Sequence, residues 1–275
     1  MEQRADLHVH TKASDGTLTP TEVVRAAKDI GLAAVGIADH DTVDGIDEAL
    51  DAGRQFGIEV VPAVEISTIY GSGDEVHILG YFINHHDTSF VEKLRVLNEA
   101  RWERGRMMVE RLRAAGVPLD FERVAELADG GAIGRPHVAR ALCEIGAAPS
   151  IDAAFGRYLV EGAPGYVERF KVSPRDAVRM IIEAGGVACC AHVAKLKDDS
   201  LLLELISEGL KAIEAYHPDH PVAASKYYDK FARQRGLIVT GGSDAHCIEG
   251  GRHGGIGSVT VAYDVVAELK AAAKR

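Results

Sequence analysis

From its fifth residue the chain alternates short apolar runs with amphipathic stretches. The opening run, "DLHVHTKASDG", has period 2. It predicts a strand with Leu7 and Val9 on one face and His8 and His10 on the other. "LTPTEVVRAAKDIG" predicts a helix, with Thr19 as N-cap, Pro20 at the first helical position, Glu22 three beyond the cap and closure at Gly31. The strand-like run "LAAVGIADHD" follows, then "TVDGIDEALDAGRQFG", a helix ending at Gly57. "IEVVPAVEIS" and "EVHILGYFI" read as two more strands. This alternation predicts a parallel sheet joined by right-handed crossovers.

Between residues 86 and 165 the rhythm changes. "FVEKLRVLNEARWERGRMMVERLRAAG" is long, charged and helical, with Leu94, Leu97, Met108 and Leu112 as its buried stripe and an arginine-rich face read as solvated. "DFERVAELA" and "RPHVARALCEIG" continue in helical style. The stretch 86–165 is therefore expected to be a helical subdomain inserted into a barrel formed by 1–85 and 166–275. The alternation resumes at "SPRDAVRMIIEAGG", capped by Ser173, and runs through "VACCAHV", "LLLELISEG", "LKAIEAYHP", "ASKYYDKFARQRG" and "LIVTGGSDAH" to a last helix near "DVVAELKAAAKR". The count is about seven βα units, an α/β chain.

Composition changes this picture little. The chain has 275 residues, 47% hydrophobic and 26% charged, as expected of a globular protein with one large α/β domain or two smaller ones. A formal net charge of -10 argues against a sequence-blind grip on nucleic acid, duplex DNA included, while leaving room for a local basic groove. No apolar run approaches the roughly 20 residues of a membrane span, and "MEQRADLHVH" carries no apolar signal region. Cys143, Cys189, Cys190 and Cys247 form no CxxC pair and read as small core residues in a reducing cytoplasm.

The candidate chemistry lies at the strand ends, where parallel α/β barrels collect it. His8 and His10 could be ligands or polar residues on a solvated face. The following runs end in His40 ("ADHD") and Glu65 ("VEIS"); His77 lies in "EVHILG", His192 in "AHV", and Asp244 and His246 in "GGSDAH". Asp15 lies in the loop after the first strand. One such ending means little. Six in one sheet gather imidazoles and carboxylates at a cost that divalent ions remove, which predicts a multinuclear metal site.

Taken in order, "DLHVHTKASDG", "ADHDT", "AVEIS", "VHILGY", "AHV" and "TGGSDAH" resemble the polymerase and histidinol phosphatase (PHP) family over nearly the whole chain. The insertion, with "GRPHVARAL", and "YHPDH" further on are similar to the branch of 3′,5′-nucleoside bisphosphate phosphatases, some of which are exoribonucleases of the RNase AM type. The resemblance implies a distorted (β/α)7 TIM-like barrel with two or three divalent ions. His8, His10, Glu65 and Asp244 would hold the first. Glu65 would bridge to a second, held also by His77 and His192, and Asp15, His40 and His246 would hold a third. Glu65, Asp244 and His192 would also be catalytic. Val193 departs from the "AHP" of many relatives and is expected to alter the loop and shift substrate preference.

A nitrogen and oxygen donor set without thiolate suits Mn²⁺, Fe²⁺ or Zn²⁺, and the resemblance favours Mn²⁺. The expected reaction is hydrolysis of a phosphate ester by metal-activated water, releasing the 3′-phosphate of nucleoside 3′,5′-bisphosphates and also trimming short RNA from its 5′ end. Arg135, His137 and Lys171 are candidates for a second anion site. His217 is expected to line the pocket, and His220 to be solvated. Asp39 and Asp41 are expected to orient His40; His85, His86 and His253 are given no role. The alternatives are a phosphatase for another small ester, such as histidinol phosphate, and a non-catalytic, metal-stabilised binding module.

Overall fold

The computed structural model describes residues 3–71, 73–168, 170, 172–248 and 254–273. The opening run becomes β1 (Arg4–Val9), whose two faces are both covered, so that His8 is as buried as Leu7. α1 (Pro20–Asp29) starts at a reciprocal capping box between Thr19 and Glu22. It buries Val23, Val24 and Ala27, each valine contributing about 1.5–3 kcal/mol. β2 (Ala34–Ile37) and α2 (Ile46–Phe56), closed by left-handed Gly57, complete the first repeat. β2 lies parallel to β1 on one side and to β3 (Glu59–Tyr70) on the other.

Here the expected all-parallel sheet fails. β3 runs on past Pro62, which pairs with Ile37 at the end of β2, and turns back into β4 (Asp74–Tyr81). The two strands pair antiparallel from Ala63↔Tyr81 to Tyr70↔Asp74. Three residues join them, whereas a parallel crossover needs a dozen or more. Gly71 and Gly73, both at positive φ, permit the reversal. β4 also lies antiparallel to β5 (Val187–Cys190).

Between β4 and β5 come α3 (Thr88–Ala114), α4 (Phe121–Ala128), α5 (Arg135–Glu144) and α6 (Ile151–Ala154), with a π-helical turn over Phe155–Leu159. α3 serves two cores. Phe90, Leu94 and Leu97 pack with barrel residues, while Met108, Val109 and Leu112 pack with Leu119 of the following loop and with Val124, Leu142 and Leu159 of the later helical segments. Its arginines divide: Arg95, Arg106 and Arg113 are exposed, but Arg101 and Arg104 turn inward, against the expectation of a solvated face.

The remaining elements are α7 (Pro174–Glu183), α8 (Ser200–Ser207), β6 (Ala212–Tyr216), α9 (Val222–Gln234), β7 (Ile238–Gly241), β8 (Val261–Ala262) and α10 (Asp264–Ala273). The sheet order is β7-β6-β5-β4-β3-β2-β1-β8, an α/β barrel that nearly closes. The eighth strand was not expected; two residues are too few to make a pattern. It pairs antiparallel with the start of β1. β7 reaches the other end of β1 through the bridge Val9↔Ala245, where the His10 N–H donates to the Ala245 carbonyl at 2.9 Å. Contact is so close that a Cβ on Gly242 would lie 2.4 Å from His8 Cβ. Cys189 and Cys190 are buried in different parts of the core, as free thiols. Among the described residues no helix is long and apolar enough to cross a membrane.

Candidate metal centre

Three strands aim four donor side chains at one point. His8 and His10 come from β1 and the residue after it, Glu65 from β3, and Asp244 from the loop after β7. His8 Nε2 lies 3.2 Å from His10 Nε2, 3.5 Å from Glu65 Oε2 and 3.5 Å from Asp244 Oδ1. His10 Nε2 lies 3.4 Å from the same glutamate oxygen and 3.0 Å from the same aspartate oxygen. Donors bound at 2.0–2.1 Å around a four-coordinate ion stand roughly 3.3–3.4 Å apart. The cluster therefore has the dimensions of a ligand cage.

Two further groups adjoin it. His77 Nδ1 and His192 Nε2 lie 2.8 and 3.1 Å from Glu65 Oε1. Asp15 Oδ1 is 3.2 Å from His246 Nε2, and Asp15 Oδ2 is 4.0 Å from His40 Nε2. His40 stands between these groups, since its Nδ1 is also 2.9 Å from Glu65 Oε2. His10 Nδ1, His40 Nδ1, Glu65 Oε2 and His77 Nε2 are nevertheless buried without a hydrogen-bond partner among the described residues. Unpartnered buried polar atoms cost about 1–3 kcal/mol each, a cost that bound cations relieve. The donors thus fit divalent ions.

Protonation fits the same assignment. Burial pushes His40 and His192 down to about 4, so both present lone pairs at neutral pH. Burial works against the charges of Glu65, Asp15 and Asp244, yet the surrounding imidazoles hold all three well below the usual carboxylate range. His246 goes the other way: burial lowers it, but Asp15 and Asp244 raise it to about 9. For His8, burial is likewise outweighed by Glu214, Glu65 and Asp244.

The groups behind the donors are as informative. Glu214, at the centre of β6 and fully buried, accepts from His8 Nδ1 at 2.9 Å and from the His192 backbone N–H at 2.6 Å. It was missed in the sequence; an acidic residue inside the apolar strand "AIEAY" is the signal that could have found it. Asp6 accepts from the Ser243 N–H and hydroxyl and from the Gly257 N–H, fixing the loop that carries Asp244. Burial pushes its carboxyl up to about 6. Asp39 accepts from the Thr11 N–H, the Thr11 hydroxyl and the Ser14 hydroxyl, and so shapes the loop bearing Asp15. Asp41 accepts from Arg101 and the Ser67 N–H. Against expectation, neither aspartate bonds to His40: Asp39 fastens the loop after β1, and Asp41 ties α3 to β3. Asp41, His192 and Asp244 have positive φ, which is costly for a side-chain-bearing residue and typical of functional sites.

The other expected residues are scattered. His217 is buried, with Nε2 3.1 Å from Asp244 Oδ2, behind the cage. His137 is buried, and its Nδ1 accepts the Gly134 N–H at the start of α5. Arg135 lines the recess beside the cage and donates to Glu75. Lys171 and His253 lie outside the described residues. His220 corrects the expectation of solvation: it is buried, held by the Ala215 carbonyl and the Ala194 N–H. Val193 is buried and opens a 3₁₀ turn after His192. Arg101 and Lys195, not considered as site residues, line the same recess as Arg135.

Residues 6–125 match the sequence profile of the PHP domain. A 3′,5′-nucleoside bisphosphate phosphatase of Chromobacterium violaceum is 35% identical, over 90% of this chain and 89% of the relative. The 5′-3′ exoribonuclease Rnm of Salmonella typhimurium is 34% identical, over 88% and 84%. A solved structure from Bifidobacterium adolescentis, provisionally assigned as a metal-dependent phosphoesterase, superposes with a TM-score of 0.91 at 31% identity, covering 98% of this chain and 96% of its own.

Proposed function

The chain belongs to the PHP-domain family, and from that premise we propose that it is a metal-dependent phosphoesterase acting on nucleoside 3′,5′-bisphosphates, with short 5′-phosphorylated RNA as a further substrate. His8, His10, Glu65 and Asp244 hold one divalent ion. Glu65, His77 and His192 hold a second, and Asp15, His40 and His246 a third. Mn²⁺ is the ion we expect, in a cytoplasmic protein. When bound, the ions supply Lewis acidity toward the phosphoryl oxygens and a nucleophile at neutral pH.

The chain's own residues do the rest. Glu65 gives one oxygen to each of two donor groups and fixes the spacing between them. Glu214 holds the His8 proton on Nδ1 and leaves the Nε2 lone pair facing the cage. Arg135, Arg101 and Lys195 border the recess of about 290 Å³ that opens beside His40, His77 and His192. They receive the phosphate that is not cleaved. Water attacks phosphorus, the bond to the ribose 3′ oxygen breaks, and that oxygen ends protonated, giving the 5′-monophosphate and inorganic phosphate.

The observation that carries this assignment is the contiguity of a cage of imidazole and carboxylate donors with a cation-bordered recess. The test is phosphate release by Mn²⁺-loaded protein from adenosine 3′,5′-bisphosphate, with AMP, histidinol phosphate and a short 5′-phosphorylated RNA alongside. Fast release from the bisphosphate with AMP accumulating supports it. Equal or better turnover of histidinol phosphate overturns the substrate. An Asp244→Ala protein that stays folded and keeps its turnover overturns the ligand assignment.

A further inference from the structure

A second recess adjoins the cage and the cationic recess. It is larger, about 520 Å³, and shares Asp15, Pro136, Phe155, Asp244 and His246 with the first. Its own walls differ in character. Ile151 and the Phe155 ring form an apolar surface, with Ser150, Asp152 and Thr17 at polar positions. Ile151 is 38% exposed and Phe155 half-buried, so apolar surface is left facing this cavity. Besides His246, which belongs to the cage, its one cationic side chain among the described residues is Arg140, which donates to the Asp15 carbonyl. With Asp15, Asp152 and Asp244 around it, this cavity is a poor place for a second phosphate. Phe155 stands on a π-helical turn, a distortion often found at functional sites. The Arg135 guanidinium lies 5.8 Å from its ring centroid, tying the ring to the cationic recess.

A ligand held by the cage can reach cations in one recess and an aromatic and aliphatic wall in the adjoining one. We propose that the Phe155–Ile151 wall is the nucleobase subsite, with the base stacked on Phe155, and that it makes the enzyme prefer nucleotides to other bisphosphates. The proposal rests on the phosphoesterase assignment above but can fail separately from it. Stacking on an aromatic ring tolerates any base, so the subsite selects for the presence of a base rather than its identity.

The experiment compares adenosine 3′,5′-bisphosphate with its abasic analogue, 1,2-dideoxyribose 3,5-bisphosphate. In Phe155→Ala, KM for the nucleotide should rise roughly 5- to 150-fold, with kcat within about twofold, while KM for the abasic compound stays unchanged. Phe155→Trp should restore the nucleotide KM. Ile151→Ala, at an exposed position that should not disturb folding, should give a smaller rise of the same kind. An equal rise for both substrates, or none for either, overturns the subsite. A binding arm reads the contact without turnover: fluorescence of 2-aminopurine riboside 5′-monophosphate should be quenched by the parent protein and not by Phe155→Ala. If the protein releases no phosphate from the bisphosphate but quenching depends on Phe155, the substrate assignment falls and the base subsite stands. Quenching that is absent, or independent of Phe155, removes the subsite.

Discussion

Replacing Glu214 by Gln isolates what the residue behind the cage does. The side chain keeps its shape and loses its charge. Today both carboxylate oxygens accept, one from His8 Nδ1 and one from the His192 N–H. An amide offers one acceptor and one donor, so one of those N–H groups faces an N–H. At a fully buried position this should cost about 1–3 kcal/mol of metal-free stability. The His192 N–H is fixed in the backbone and keeps the amide oxygen, so His8 meets the amide N–H and must move its proton to Nε2, which puts a hydrogen where the ion must sit. Metal affinity should therefore fall about 10- to 100-fold, or roughly 1.4–2.7 kcal/mol. The assay is competition with a chromophoric chelator, run beside thermal unfolding of the metal-free protein. At saturating metal most turnover should return, because no first ligand has been removed. Unchanged affinity in a folded variant would refute the reasoning, whatever happens to stability, since it would mean that the His8 tautomer does not depend on Glu214.

Metal loading should be coupled to protons. The His246 imidazole, held at about 9 by Asp15 and Asp244, is protonated at pH 7 in the metal-free protein and must release that proton to bind. Apparent affinity should rise between pH 7 and 9, and calorimetric heats should vary with the ionisation enthalpy of the buffer; heats independent of buffer would sink the idea. The same raised value stabilises the metal-free fold fully below pH 6.5, and that contribution is lost as pH climbs through 9. Thermal scans of stripped protein should therefore show a lower Tm at pH 9 than at pH 6.5, and metal should reverse the order. Asp41→Ala leaves the buried Arg101 guanidinium without its carboxylate and should cost about 3–5 kcal/mol; a denaturant titration showing less than 1 kcal/mol would place solvent at that pair. Gly242→Ala drives a methyl into His8, and should cost about 1–3 kcal/mol or more together with measurable loss of bound metal.

The sequence was most legible where local chemistry decides the outcome. The Thr19 to Glu22 box, Pro20 and the Gly57 stop specify helix ends through a few neighbouring atoms. The clustering of the donor-type residues was legible for another reason: imidazoles and carboxylates at successive strand ends of one barrel must come together. The β3–β4 hairpin was misread because both strands carry the same apolar signal whichever way they run; only the length of the connection distinguishes them. Glu214, Asp6 and Arg101 stayed hidden because their partners lie far away in the chain. Asp6 meets Ser243, and Arg101 meets Asp41, pairings that no local pattern encodes. His220 misled for the same reason, as its polar "YHPDH" surroundings gave no hint of the carbonyl and N–H that bury it.

The seam between β1 and β7 has a consequence for how the protein comes into being. His10 and Asp244 face each other across 234 residues of chain. At about 5–20 residues per second, a ribosome needs roughly 10–50 s to make the second after the first. Throughout that interval His8 and His10 belong to a cage without its aspartate, and β1 itself lacks one of its neighbours. Metallation must therefore be among the last events of maturation. A chain interrupted just before β7 would leave the ribosome with most of its helices but without Asp244, the donor that completes the first cage.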